Sequence, residues 1–204
     1  MPGLDPEIAV HRLNIKPEAK PIEQAQRRFH PLLMKKIEKK VKKFKDVGLI
    51  REEKDPDWLA NIASVTKKNG QIRVCIDFRD PNNAFPKDEF PPPITEIMIN
   101  NTRGYEHLSF IEGLSGYNQI EIDLDDERHT SFRTQFGTYC YTVMPFGLKN
   151  ASATYLTRKG AMKQIFRDQQ HKTVECYVDH LADLRGVFKI LRKHNMRPSK
   201  AFWR

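Results

Sequence analysis

Few residues in this chain could do chemistry, and their types exclude several classes at once. Three cysteines, Cys75, Cys140 and Cys176, lie far apart with no CxxC pair, and none of the seven histidines stands at a zinc-ligand spacing from them. Neither a zinc site nor a disulfide framework is expected, and reduced thiols suit an intracellular compartment. On residue type alone, Glu112 is a surface acid at a strand end, and Tyr117 is a core aromatic. Lys67 and Arg73 flank Asn69-Gly70 as a basic β-hairpin. The remaining signal is charge. Thirty-five Lys and Arg against 26 Asp and Glu give +9 and a pI near 9.5, which favours a polyanionic partner, nucleic acid or an anionic membrane surface.

These residues must be held by a fold, and the chain predicts a mixed one. Residues 1–25 are rich in proline and weakly periodic, an extended arm. Leu33, Ile37, Val41 and Phe44 recur at helical spacing and predict a helix over Pro31–Asp46, ended by Gly48. Its opposite face carries Lys35, Lys36, Lys39, Lys40, Lys42 and Lys43, either a solvated face or one that contacts phosphates. A short strand at Leu49–Arg51 is followed by a hairpin of Ile62–Thr66 with Gln71–Phe78. Residues 80–93 hold five prolines and read as irregular loop, and 94–101 as a short helix. Then follow a strand Tyr105–Ile111, a turn Gly113–Gly116, and a segment Tyr117–Ile122 that is strand or helix. A second hairpin pairs Ser131–Thr134 with Gly137–Val143. The chain closes with a helix Ala151–Asp168, a strand Val174–Val178 and a helix Leu181–Lys193. Without regular βαβ alternation the class is α+β. The N-terminus has no continuous apolar run of a signal peptide, and no stretch approaches the ~20 apolar residues of a membrane span. No membrane partner is expected.

Five segments in order resemble the reverse transcriptase of Ty3/gypsy-type retrotransposons. They are Gly70-Gln71-Ile72-Arg73-Val74-Cys75-Ile76-Asp77-Phe78-Arg79-Asp80; Leu108-Ser109-Phe110-Ile111-Glu112-Gly113-Leu114-Ser115-Gly116-Tyr117-Asn118-Gln119-Ile120; Thr130-Ser131-Phe132-Arg133-Thr134 with Tyr139-Cys140-Tyr141; Val143-Met144-Pro145-Phe146-Gly147-Leu148-Lys149-Asn150-Ala151; and Tyr177-Val178-Asp179. The likeness implies a polymerase fingers-and-palm architecture, the palm a ferredoxin-like sheet with helices on one face. On that template the arm spans residues 1–25, a fingers-like region 26–104, and a palm-like region 105–204 without thumb or RNase H.

The family activity that this implies is RNA-directed DNA polymerisation on an RNA/DNA template-primer with deoxynucleoside triphosphates. Two Mg²⁺ ions held by carboxylates from different strands stabilise the attacking and leaving oxygens. Glu112 and Asp179 match metal positions and are the catalytic candidates. Lys67 and Arg73 match the residues that grip the triphosphate, Tyr117 the aromatic beside the sugar, and Phe146 with Gly147 the loop against nucleotide and template. Asp77 and Arg79 match as a structural pair.

The departures fall on the metal side. The family has aspartate where Glu112 stands; the extra methylene displaces a carboxylate by roughly 1.5 Å, and a misplacement of about 1 Å can cost on the order of 100-fold in rate. His180 replaces the second acid of the Tyr-x-Asp-Asp turn and is a poor Mg²⁺ ligand. After it, Leu181-Ala182-Asp183-Leu184-Arg185 already reads as the next helix, so part of the catalytic hairpin is missing. The expectation is an impaired or inactive polymerase domain. The alternatives are a non-catalytic nucleic-acid-binding remnant of a transposable element and a decayed fragment without function.

Overall fold

The computed structural model describes residues 3–66, 68, 71–89, 94–101, 103, 109–156, 161–167 and 184–203. In chain order the elements are β1 Val10–His11, α1 Pro31–Asp46, β2 Ile50–Glu52, β3 Ala60–Thr66, β4 Ile72–Ile76, α2 Arg79–Ala84, α3 Thr95–Asn101, β5 Ser109–Gly113, a 3-10 turn Gly116–Gln119, β6 Glu121–Ile122, α4 Leu124–Glu127 running into a 3-10 turn Arg128–Thr130, β7 Phe132–Thr134, β8 Gly137–Tyr141, α5 Ala151–Leu156, α6 Ala161–Ile165, α7 Leu184–Lys193 and β9 Pro198–Trp203. The α+β class expected from the pattern is the one found. The chain divides into two units, His11–Lys87 with Ile122–Lys149, and Pro2–Val10 with Asp88–Glu121 and Asn150–Arg204.

The first unit is built on a mixed five-stranded sheet in the order β2-β8-β7-β3-β4. The β3–β4 hairpin runs antiparallel from Ile62 opposite Ile76 to Thr66 opposite Ile72. β3 also lies parallel to β7, with Ala60 opposite Phe132, and β7 returns antiparallel into β8. Buried Ile62, Phe132, Tyr139 and Tyr141 form the core, with the Phe132 ring centroid 6.0 Å from that of Tyr139 and 5.6 Å from that of Tyr141.

Helix α1 packs against this sheet. It begins at Pro31, where a missing N–H costs nothing, and His30 caps it by accepting from the Leu32 N–H. Ile37 and Val41 are buried, as the helical spacing predicts. Lys43 and Lys45 sit in the last turn, where cations complement the helix dipole. Gly48 follows at φ +72°, a conformation glycine adopts without strain.

Two regions differ from the sequence reading. Helix α2, Arg79–Ala84, runs into the segment 80–93 that was expected to be loop. Pro81 stands in the first turn, where a helix tolerates proline, and the Asn82 N–H donates to the Phe78 carbonyl at 2.9 Å. The second is β9, for which no strand was expected. It runs antiparallel to β5, from Ser109 opposite Trp203 to Glu112 opposite Lys200, with a register shift between Glu112 and Gly113. The ambiguous segment at Tyr117–Ile122 resolves as one 3-10 turn followed by two strand residues. The expected helix over Ala151–Asp168 is described as α5 and α6. The expected strand Val174–Val178, and the turn residues Lys67, Asn69 and Gly70, lie outside the described residues.

In the second unit a buried amide ties the turn after β5 to the chain before β9. Gln119 Nε2 donates to the carbonyls of Leu114 at 2.8 Å and Arg197 at 2.9 Å, and Gln119 Oε1 accepts from the Arg197 N–H at 2.8 Å. Gln119 is fully buried, so these bonds replace the water it loses. Val187, Leu191 and Met196 bury the inner side of α7 and the chain that leaves it.

Candidate active-site residues

On the first unit, Arg73 is exposed on β4, paired in register with Val65 of β3. Behind it lies a charged knot. Asp77 accepts from Arg79 through both carboxylate oxygens at 2.7 and 2.8 Å, and from Arg27 at 2.8 Å. The Arg79 hydrogen bond holds the Asp77 carboxyl below its ordinary range. The pair named in the sequence analysis is therefore formed, and Arg27 joins it from the segment that precedes α1.

The Phe146-Gly147 loop belongs to the same unit. Phe146 is 58% exposed, and Gly147 has φ +104°. A Cβ at Gly147 would meet only the Phe78 ring at 3.6 Å and the Ile76 carbonyl at 3.8 Å. The backbone conformation, and not crowding, is what requires glycine there. Asn82 on α2 brackets this loop: its Nδ2 donates to the Gly147 carbonyl at 2.8 Å and its Oδ1 accepts from the Lys149 N–H at 2.8 Å. Lys149 in turn donates to the Phe85 carbonyl at 2.7 Å and lies 5.1 Å from the Phe85 ring centroid. Asn82 was hidden in the sequence because its stretch read as loop. The only cue was an amide within Asp80-Pro81-Asn82-Asn83.

The unit's other titratable groups are structural. Arg51 donates to Glu127 at 2.7 Å and to Glu53 at 2.7 Å. Cys140 is buried, and burial pushes its thiol up to about 12, which leaves it unreactive. His11 is fully buried near Asp126, and burial lowers its pKa to about 4.

On the second unit, Tyr117 sits on the 3-10 turn after β5. Its hydroxyl is 2.9 Å from Ser152 Oγ, and its ring meets that of Tyr155 edge-on, with centroids 5.4 Å apart. The turn presses on Tyr155: a Cβ at Gly113 or Gly116 would lie 2.9 or 2.8 Å from the Tyr155 hydroxyl oxygen. Those two glycines are needed for this approach, a constraint that their reading as turn residues missed. Glu112 is the fourth residue of β5 and registers with Lys200. Asp179, His180 and Lys67 lie outside the described residues. Among the described residues no group of three His, Cys, Asp or Glu side chains could hold a metal ion, and no helix is long and apolar enough to cross a membrane.

Comparison with known proteins places this arrangement. The family model "Reverse transcriptase (RNA-dependent DNA polymerase)" matches residues 65–183, more than half of the chain. The Pol polyprotein of transposon 297 from Drosophila melanogaster is 29% identical over 176 residues, covering 79% of this chain and 16% of the polyprotein. That of transposon gypsy from the same fly is 28% identical over 180 residues, covering 80% and 17%. The chain thus spans about a sixth of the length of these relatives. The foamy viral protease-reverse transcriptase solved in complex with RNA/DNA hybrid shares the fold at a TM-score of 0.78 and 19% identity, covering 92% of this chain and 26% of that one. The native prototype foamy virus protein does so at 0.75 and 20%, covering 91% and 26%. The chain belongs to the reverse transcriptase family, and its similar polyproteins are those of gypsy-type retrotransposons.

Proposed function

We propose that this chain engages an RNA/DNA template-primer through the family's fingers and palm, and that nucleotide transfer at its own centre is impaired. Lys67 and Arg73 would meet the triphosphate of an incoming deoxynucleotide, Tyr117 its sugar, and Phe146 with Gly147 the base and template. Glu112 and Asp179 would hold Mg²⁺, which when bound neutralises charge on the transferring phosphate. The oxygen chemistry of these two acids suits Mg²⁺.

The observation that carries the impaired reading is the pairing of β5 with β9, which gives Glu112 a lysine, Lys200, as its register partner. That register sets a lysine position across the strand pair from the first metal position, where the family centre calls for acids. The longer Glu112 and the histidine at 180 weigh the same way. By contrast the Asp77–Arg79–Arg27 knot and the Asn82 bracket leave the nucleotide-handling loops of the first unit well supported. The net charge of +9 favours phosphate binding independently of metal.

The test is fluorescence anisotropy of a labelled RNA/DNA hybrid across a salt series, with and without Mg²⁺. The expected result is binding that weakens steeply with salt and changes little with Mg²⁺. Failure to bind the hybrid at low salt would overturn the reading.

A further inference from the structure

Tyr117 is gripped at its base, its edge and its tip. The base is set by the turn it stands in: the Asn118 N–H donates to the Ser115 carbonyl at 2.8 Å, and the Tyr117 carbonyl accepts from the Ile120 N–H at 3.1 Å. The edge of the ring meets Tyr155 of α5, with centroids 5.4 Å apart and ring planes at 64°. The tip meets Ser152 of the same helix, hydroxyl to hydroxyl at 2.9 Å. The two grips from α5 differ in character. Tyr155 is fully buried, and the glycine turn rests on it. Ser152 is exposed, in the first turn of the helix, between Ala151 and Ala153, which are buried. The Thr154 N–H donates to the Asn150 carbonyl at 3.0 Å and closes that turn. Its neighbours therefore anchor the helix, and the core does not need a serine at 152. What Ser152 does is hold the end of one aromatic ring.

The tip contact adds resistance to swinging. A rotation of about 15° about χ1 carries a tyrosine hydroxyl by roughly 1.5 Å and costs less than about 1 kcal/mol of rotamer strain. That displacement is the space of one hydroxyl group. The edge contact with Tyr155 blocks the ring on one side and leaves it free to slide away on the other. A ring held only so would exclude one extra hydroxyl weakly, and one hydroxyl is all that distinguishes a ribonucleotide from a deoxynucleotide. With the tip bonded to Ser152, the ring yields only when that bond breaks. Water competes for an exposed pair of hydroxyls, but a nucleotide lying against the ring displaces that water, and the bond strengthens as it does so.

We infer that Ser152 is a positioning residue for sugar selection: by holding the Tyr117 hydroxyl it keeps the ring where a ribose 2′-hydroxyl would collide, and so raises the chain's preference for deoxynucleotides over ribonucleotides. Its action runs through Tyr117. This rests on the reading proposed above, in which Tyr117 meets the sugar, and adds to that reading the residue that fixes the ring.

The test uses the full chain bound to an RNA/DNA hybrid whose RNA strand offers a uridine beyond a dideoxy-terminated DNA primer, so that nothing is incorporated. With Mg²⁺ present, the affinities of dATP and ATP are read by competition against a fluorescent dATP analogue. The parent should prefer dATP, and Tyr117→Ala should lose most of that preference. Ser152→Ala is expected to lower the preference about threefold, through tighter ATP binding with dATP little changed, which is what one partly exposed hydrogen bond supplies. Ser152→Thr keeps a hydroxyl and should keep the preference. Tyr117→Phe should match Ser152→Ala, and the two combined should go no further, because both remove the same bond. A merely structural serine would shift the urea midpoint and leave the ratio alone. If Tyr117→Ala loses the preference while Ser152→Ala retains it, the positioning role is wrong and the sugar reading stands. If the parent binds neither nucleotide, shows no preference, or keeps its preference in Tyr117→Ala, the sugar reading fails and the inference falls with it.

Discussion

The two units are stabilised by different kinds of interaction. In the first, charged and polar groups distant in sequence are drawn together: Arg27 to Asp77, Arg51 to Glu127, Asn82 to the 147–149 loop, and buried His11 near Asp126. In the second, the described contacts around the turn after β5 are uncharged, a close backbone approach together with hydrogen bonds of Gln119. Glycines 113 and 116 let a turn rest on Tyr155, and Gln119 bridges that turn to Arg197. A network of titratable groups responds to pH and tolerates small changes of volume. A close backbone approach does the reverse. The comparison matters for function because the residues proposed to handle nucleotide lie mainly on the first unit, while Glu112 lies on the second.

The largest expected effect exposes the first unit to acid. His11 has a folded pKa of about 4 against an ordinary value of 6.5. The unfolded chain therefore binds the extra proton between those values, so stability is complete above pH 6.5 and is lost as pH falls towards 4. A shift of this size corresponds to about 3 kcal/mol. Asp126, which faces His11 and also contacts His129 at 3.3 Å, opposes the loss by favouring the imidazolium. Urea midpoints measured from pH 7.5 to 4.5 should fall for the parent chain, and His11→Asn should flatten that slope. An unchanged slope in the variant would remove His11 as its source.

Next in size is a shape change on the second unit. Gly116→Ala brings a Cβ to 2.8 Å from the Tyr155 hydroxyl, so the turn or the ring must move. The expected cost is about 2 kcal/mol, read as a lower thermal midpoint and independent of pH over the same range. Pairing it with Tyr155→Phe removes the hydroxyl oxygen but keeps ring carbons at 3.1 Å, so it should restore only part of the loss. If it does not, the close approach is not what Gly116 serves.

Asn82→Ala returns to the first unit and removes both bonds to the 147–149 loop. With the loop partly solvated, the cost to stability should be about 1 kcal/mol. Affinity for deoxynucleotide in the presence of hybrid should fall further than stability does, if the loop meets the base. The smallest effect is expected from Tyr117→Phe, which loses the bond to Ser152 but keeps the ring against Tyr155. Its stability should change by about 0.5 kcal/mol, measured by urea titration. A loss several times larger would mean that the hydroxyl holds the turn.

What was legible in the sequence is what local pattern dictates. Helix α1 has a spacing, a proline start and a glycine stop that all agree, and its bounds were read without error. The β3–β4 hairpin is announced by an Asn-Gly turn between β-rich runs. Where the decisive partner is distant, the sequence was mute. β9 is a strand because β5 pairs with it, and Ala201-Phe202-Trp203 alone is too short a run to say so. α2 was masked by Pro81, whose first-turn position is visible only once the helix is known. Asn82 and Gln119 are ordinary polar residues until the loops that they bracket fold beside them. Of the candidate site, the resemblance supplied every residue named, while the close packing behind Tyr117 came from the structure.

The most direct test of impaired transfer is primer extension on an RNA template with Mg²⁺ or Mn²⁺, comparing the chain as it stands with a version that carries Glu112→Asp and a restored hairpin strand after Asp179. The account predicts no extension by the former and extension by the latter. Extension by the unaltered chain would contradict it, and would mean that Glu112 and Asp179 suffice for nucleotide transfer with Lys200 in register.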